Sequence, residues 1–363
     1  MIGVGDLYKV VEAMAPLYLA LALGYGSVRW WQIFKPAECD TINRLVAYFA
    51  FPFFAFQFTL HCDPFTMNYR AILADIISKA IIIISLAIWA KCSSRGSYCW
   101  SITNFSLTTL TNSLVVGVPL LGAMYGPWAS DLVVQLSVFQ ALSWLMLLLF
   151  VLEVRKAGNS MMEVIKVANG SVNGHGETAT KDPEAGQGTE VVVVLPSSRP
   201  SLCSLMKVVG LKLALNPNSY ASIVGIIWAV VANRWHFELP GILDGCVQIM
   251  AKTGLGMAMF SMGLFMATQE KIISCGPSLT ILGMALRFIA GPAAMAIGSI
   301  AVGLRGDVLR VVIIQAAVPQ SITSFVYARE YGLHADVIST AVIFGMLVSL
   351  PVLISYYILL GFC

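Results

Sequence analysis

Two prolines, Pro119 and Pro319, each sit inside an apolar stretch long enough to cross a lipid bilayer, and they constrain the fold of this chain more than any other feature. Proline has no N–H and its ring clashes with the preceding turn, so it kinks or breaks a helix. Inside hydrocarbon the freed backbone groups find no water, and a broken span survives only buried in protein or lining a cavity. Interrupted spans at matching positions in two halves of a chain are the sequence mark of a secondary transporter's binding site.

A membrane setting follows from composition. The 363 residues are 58% hydrophobic and 11% charged, against about 25% charged in a soluble domain. A span needs about 20 mostly apolar residues. Candidates lie near residues 7–28, 41–60, 70–90, 101–124, 131–152, 209–232, 241–268, 275–303, 308–328 and 335–360. The first has no basic segment before it and reads as a mature span, not a cleaved signal. Between the fifth and sixth, residues 154–206 change character, with Asn169-Gly-Ser-Val-Asn-Gly-His-Gly-Glu177 and Lys181-Asp-Pro-Glu-Ala-Gly-Gln-Gly188. Such a composition buries too little apolar surface to fold, so it reads as a disordered linker. The Val191–Leu195 run within it is either a short strand or a chance apolar patch.

The linker separates five spans from five. Pro16 and Gly24 in the first match Pro217 and Gly225 in the sixth at equal spacing. Tyr125-Gly126 precedes Asp131 as Tyr331-Gly332 precedes Asp336. An odd number of spans per repeat inverts the second copy relative to the first, as in many secondary carriers. Lysine and arginine crowd the connections on the linker's side, among them Arg29, Lys35, Lys91, Arg95, Arg155, Lys156 and Lys271. The opposite side holds Lys9, Arg70, Arg234, Arg305 and Arg310. Positive charge marks the cytosol, which places the linker there and both termini across the membrane.

Few polar residues fall at membrane depth. Asp75 and Lys79 share one face of the third span at i,i+4, as a self-neutralising structural pair or as a gating or coupling element. Arg287, in the corresponding span of the second half, has no acid one turn before it and must find its partner elsewhere. Asn112 lies just before Pro119, where its amide can bond a carboxylate or a freed carbonyl. Gln315 and Gln320 flank Pro319, and Gln140 lies within the fifth span. Thr111, Ser113, Ser321, Thr323 and Ser324 are suited to cap interrupted backbone. Asn216 and Pro217 read as the N-cap and first residue of a helix, leaving Asn218 for another role.

Neither broken stretch carries an acid between Ser101 and Pro127 or between Val308 and Arg329. A cation site would want carboxylates, whereas half-helix N-termini suit anions. No phosphate loop, catalytic triad or metal-ligand cluster is present, and the eight cysteines are scattered without a Cys-x-x-Cys pair. The expectation is an all-α polytopic carrier of an organic anion. No enzymatic activity, cofactor, metal or nucleic-acid partner is expected.

Several motifs carry a resemblance. They include Tyr8-Lys-Val10, Ala15-Pro-Leu-Tyr18, Ile42-Asn-Arg44, Leu110-Thr-Asn-Ser-Leu114 with Gly117-Val-Pro119, and Asn216-Pro-Asn-Ser-Tyr220. Gly256-Met-Ala-Met-Phe-Ser-Met-Gly-Leu-Phe-Met-Ala267, Gln315-Ala-Ala-Val-Pro-Gln320 and Ile343-Phe-Gly-Met346 complete the set. With these the chain resembles the PIN-FORMED auxin efflux carriers of plants, in their short-loop, endoplasmic-reticulum branch. The resemblance implies ten helices in two inverted five-helix repeats, 1–153 and 207–363, in a fold similar to bile-acid and sodium–proton carriers. Scaffold helices would occupy 7–60 and 209–268, and transport helices 70–152 and 275–360.

The resemblance also implies homodimers and an elevator motion. The cargo would be indole-3-acetate, an anion at cytosolic pH because a carboxyl titrates near ~4. Asn112, Asn218, Phe51, Ala55, Gln320 and Val115 would contact it. Pro119 and Pro319 would mark the crossing. Asp75, Lys79 and Gln140 would form a support site that takes the place of ion coupling. The expected task is moving auxin between cytosol and endoplasmic reticulum lumen, with the plasma membrane as the other possible location. An ion-coupled symporter of another organic anion and a non-transporting auxin receptor are the competing readings.

Overall fold

The computed structural model describes residues 4–60, 67–94, 96–156, 203, 206–207, 210–211, 214–215, 217–235, 237–269, 273 and 275–362. Among these, every regular element is helical. Helix α1 is Val4–Arg29. Helix α2 covers 36–60, where the Lys35 N–H bonds Glu38 Oε2 at 2.7 Å and Pro36 opens the first turn. Helix α3 is Tyr69–Cys92, its first turn held by Asn68 Oδ1 accepting from the Ala71 N–H at 3.1 Å. Helix α4 is Tyr98–Thr109, capped by Ser97. Helices α5, Ser113–Tyr125, and α6, Pro127–Lys156, complete the first half. The second half comprises α7, Pro217–Trp235, α8, Gly241–Thr268, and α9, Pro277–Ala301. It ends with α10, Gly306–Ala316, α11, Ile322–Glu330, and α12, Ala335–Gly361.

Six of these helices, α1, α3, α6, α8, α9 and α12, are long and apolar enough to cross a membrane. Their outward faces carry exposed Ile84, Ile88, Ile249, Ile289, Ile297 and Ile300. Exposed isoleucines on helices this long and apolar belong in lipid, not water. The chain is an all-α polytopic membrane protein.

Helix α1 packs along α8, α2 along α7, and α3 along α9. The first contact is a backbone-to-backbone approach made possible by glycine. A Cβ on Gly24 would lie 2.1 Å from the Phe260 carbonyl oxygen, and one on Gly263 would lie 2.1 Å from that of Leu21. Small residues let membrane helices meet this closely, where dispersion and not hydrophobicity drives association.

Four π-helical turns interrupt the helices, at 46–50, 113–117, 140–144 and 286–290. Such turns cluster at functional sites. Three of them adjoin or contain the polar residues singled out above, following Asn112, opening at Gln140 and enclosing Arg287.

Two sequence expectations need revision. The stretch 101–124 is not one span broken at Pro119. The break falls at 110–112, between α4 and α5. Pro119 follows the π turn, in which the Val118 N–H reaches back to the Ser113 oxygen, and so stands in the first turn of a fresh helical segment. The expected linker also begins too early, because α6 continues to Lys156. Arg155 explains the extension, with Nη1 donating to the Tyr331 oxygen at 2.9 Å. The rest of the linker, with Val191–Leu195, lies outside the described residues.

Candidate functional site

The two breaks meet and satisfy each other. The Asn112 N–H donates to the Pro319 oxygen at 2.8 Å, and the Ser321 N–H donates to the Leu110 oxygen at 3.2 Å. Thr111 and Gln320 thereby form an isolated antiparallel bridge. Backbone groups freed inside a membrane must be paired within the protein, and here each break supplies the other's partners.

Thr111's own backbone groups point away from the bridge, and Gln140 takes them. Its Oε1 accepts from the Thr111 N–H at 3.1 Å and the Thr111 hydroxyl at 2.9 Å, while its Nε2 donates to the Thr111 oxygen at 2.9 Å. From the other half, Gln315 Nε2 donates to Ser113 Oγ, and Gln320 Nε2 donates to the Ser106 oxygen and to Ser324 Oγ, each at 2.8 Å. Neutral amides thus stitch the crossing together. No carboxylate lies in either break.

Arg287 is the piece that sequence reasoning left without a place. It is 1% exposed. Its Nε donates to the Val318 oxygen at 2.7 Å and its Nη2 to the Ala316 oxygen at 3.0 Å. Its Nη1 reaches the oxygens of Leu107, Thr108 and Leu110 at 3.3, 3.1 and 3.3 Å. These carbonyls end α4 and α10, the two half-helices whose negative dipole ends converge at the crossing. Gly291, one turn on, lets α9 come this close, since a Cβ there would lie 2.8 Å from the Thr108 oxygen. A lone intramembrane arginine near a Gly-Pro pair was the available signal, but backbone acceptors are invisible in a sequence.

Asp75 and Lys79 form a buried ion pair at 2.7 Å. Trp144 Nε1 donates to Asp75 Oδ2 at 2.8 Å, and the Lys79 ammonium stands 5.1 Å from the centre of the Trp144 ring. Together with Gln140, Thr111 and Gln315 they line a cavity of about 20 Å³. That is room for one water molecule and not for an aromatic acid. The three expected support residues are therefore gathered in one place, directly behind the bridge.

Asn112 is the last residue of the first break. It occupies the N-cap position of the 113–117 turn, yet its side chain caps nothing. Its Nδ2 is buried and has no hydrogen-bond partner. Burying an unpaired donor costs about 1–3 kcal/mol, a cost that an arriving acceptor removes. Val115 and Ala55 are buried, and Phe51 is half-buried with its ring edge-on to Phe54 at 6.0 Å. Asn218 lies in α7, but its side chain is outside the described residues, as is Asn216. Pro319 stands within the crossing itself, whereas Pro119 lies past it in α5.

Comparison with known proteins adds a family. A family described as membrane transport protein matches residues 9–357. "Auxin efflux carrier component 5" of Arabidopsis thaliana is 64% identical over 362 residues, covering 100% of this chain and 99% of the relative. Two Oryza sativa subsp. japonica proteins also match end to end. "Probable auxin efflux carrier component 5a" is 64% identical over 368 residues, covering 99% of each. The one named component 5b is 55% identical over 375 residues, covering 100% of each. This chain belongs to the PIN-FORMED auxin efflux carriers. It falls among the short-loop members, since relatives of the same length align throughout. A PIN-FORMED carrier is a membrane transport protein and not an enzyme.

In this PIN-FORMED chain the end of α6 nearest the linker is tied to the α11–α12 turn. The same turn also meets α4, where His334 stacks on Trp100 with ring centres 4.0 Å apart and its Nδ1 lies 2.8 Å from Thr103 Oγ1. His334 takes a left-handed backbone at φ 43°. Burial, and secondarily the nearby Arg155 charge, push its pKa below the ordinary histidine value.

Proposed function

We propose that this chain carries the indole-3-acetate anion across an intracellular membrane, between cytosol and endoplasmic reticulum lumen, without sodium or ATP, and so contributes to cellular auxin homeostasis. The observation that carries the proposal is the unpartnered amide of Asn112 at a half-helix N-terminus. An amide donor beside a positive dipole end is suited to a carboxylate, and the cargo's class comes from the relatives' name, auxin efflux carrier. The indole ring would lie against Val115, Phe51 and Ala55, with Asn218 and Gln320 completing the pocket.

Independence from sodium is supported at the support site. The Lys79 ammonium already occupies the side of Asp75 that a cation would need. The architecture behind the proposal is ten spans in two inverted repeats, with α4–α5 and α10–α11 each counted as one broken span. The packing pairs support this. Exchanging the halves turns the α1–α8 pair into the α7–α2 pair and returns α3–α9 to itself. In an elevator, the helices at 7–60 and 209–268 would stay fixed, and those at 70–152 and 275–360 would slide with the crossing. The working unit would be a homodimer with cytosolic linkers and lumenal termini.

Purified protein on a supported membrane tests the function. Saturable charge movement on adding indole-3-acetate, without sodium or a pH gradient, is the expected result. Transport that collapses without sodium would favour a coupled symporter. Binding without charge movement or flux would favour a receptor.

A further inference from the structure

We propose that Arg287 gives the crossing one uncompensated positive charge when empty and none when loaded, so that membrane voltage acts on the empty return and not on the loaded step. This rests on the carrier reading above.

The placement of buried charge, and not its sum, leads there. Among the described residues the buried ionic side chains are Asp75, Lys79, Glu153 and Arg287. Asp75 and Lys79 cancel at 2.7 Å. Glu153 sits near the end of α6, beside Arg155 and Lys156 and within reach of the Tyr331 hydroxyl. Arg287 alone remains, at the crossing. Its acceptors are all backbone carbonyls, spread over both half-helices. A carbonyl disperses a guanidinium charge and does not cancel it, and a guanidinium does not deprotonate in proteins.

Being bonded to α4 and α10 together, Arg287 must move wherever the crossing moves. The empty crossing then carries +1, and a bound carboxylate brings its sum to zero. One elementary charge crossing the whole field makes a step up to about 50-fold voltage-sensitive per 100 mV. The competing reading is that Arg287 is only a scaffold, because no neutral side chain offers five donors in one fork. Voltage separates the two, since a scaffold predicts no link between loading and charge.

The test uses the full chain in liposomes whose potential is set by a potassium gradient and valinomycin, with labelled indole-3-acetate as the probe. Net uptake includes the empty return, whereas exchange against unlabelled auxin uses only loaded steps. For the native chain, net uptake should change with voltage and exchange should not. Arg287→Lys should keep that pattern. Arg287→Gln should reverse it, making exchange voltage-dependent because the loaded crossing is now −1. Exchange by the native chain as steep in voltage as net uptake overturns the inference while leaving the carrier intact. If Arg287→Gln does not fold, the native comparison still decides. Absence of saturable flux in both modes removes the carrier reading, and this inference with it.

Discussion

Replacing Gln140 by leucine offers the sharpest test of how the crossing holds together. Thr111 is 6% exposed, and Gln140 bonds its N–H, its oxygen and its hydroxyl. Leucine keeps the volume and removes every one of these bonds. The hydroxyl keeps Ser113 as a neighbour, so the loss falls on the two backbone groups. Each buried orphan costs about 1–3 kcal/mol. The adjoining cavity of about 20 Å³ has room for a water that can serve one of them. The net cost is then about 1–3 kcal/mol, or a fall of about 1–4 °C in melting temperature. Thermal unfolding in detergent reads the total, and amide exchange at 110–112 localises it. An unchanged melting temperature together with native protection at Thr111 would refute the idea that Gln140 seals the bridge. Gln140→Glu should not rescue, because a carboxylate can accept from the N–H but cannot donate to the oxygen.

Other consequences are equally direct. Asn112→Ala should weaken indole-3-acetate binding about 10- to 100-fold, the worth of one hydrogen bond to a charged group, as titration of the purified protein would measure, and it should not lower the melting temperature, since it removes a buried donor without a partner. Gly24→Ala gains about 0.5–1 kcal/mol of helix propensity, but its Cβ meets the Phe260 oxygen and overpacking of that kind costs about 1–3 kcal/mol. It should therefore lower the melting temperature, and Gly256→Ala, where a Cβ meets nothing, should not. Lys79→Met strands a buried carboxylate and should cost about 3–5 kcal/mol, whereas Asp75→Asn with Lys79→Met should lie near neutral. Comparing the single and double variants by thermal unfolding checks the pair.

Apolar stretches and the scarcity of polar residues at depth were both readable in the chain, because hydrocarbon punishes polarity so uniformly. That is why Asn112, Gln140, Asp75 and Lys79 stood out, and why Gln315 and Gln320 were noticed beside Pro319. The location of the first break was not readable. Pro119 is a stronger signal than Leu110, Thr111 or Asn112, yet the π turn before it absorbs the missing N–H, and nothing in composition announces such a turn. Arg287 was seen but not understood, since carbonyls belong to every residue and distinguish none. Gln140 and Thr111 form a pair only because the fold brings them together.

The bridge between the breaks also sets a timetable for biosynthesis. Leu110 and Asn112 leave the ribosome long before Pro319 and Ser321, the residues that complete their bonds. At about 5–20 residues per second, the roughly 200 intervening residues take about 10–40 s to make. Throughout that interval the first broken helix stands in or near the bilayer with its gap open. The first half cannot finish alone. It has to be sheltered until the second half arrives, and any stall in between leaves an unfinished protein that membrane quality control can recognise by its unpaired backbone.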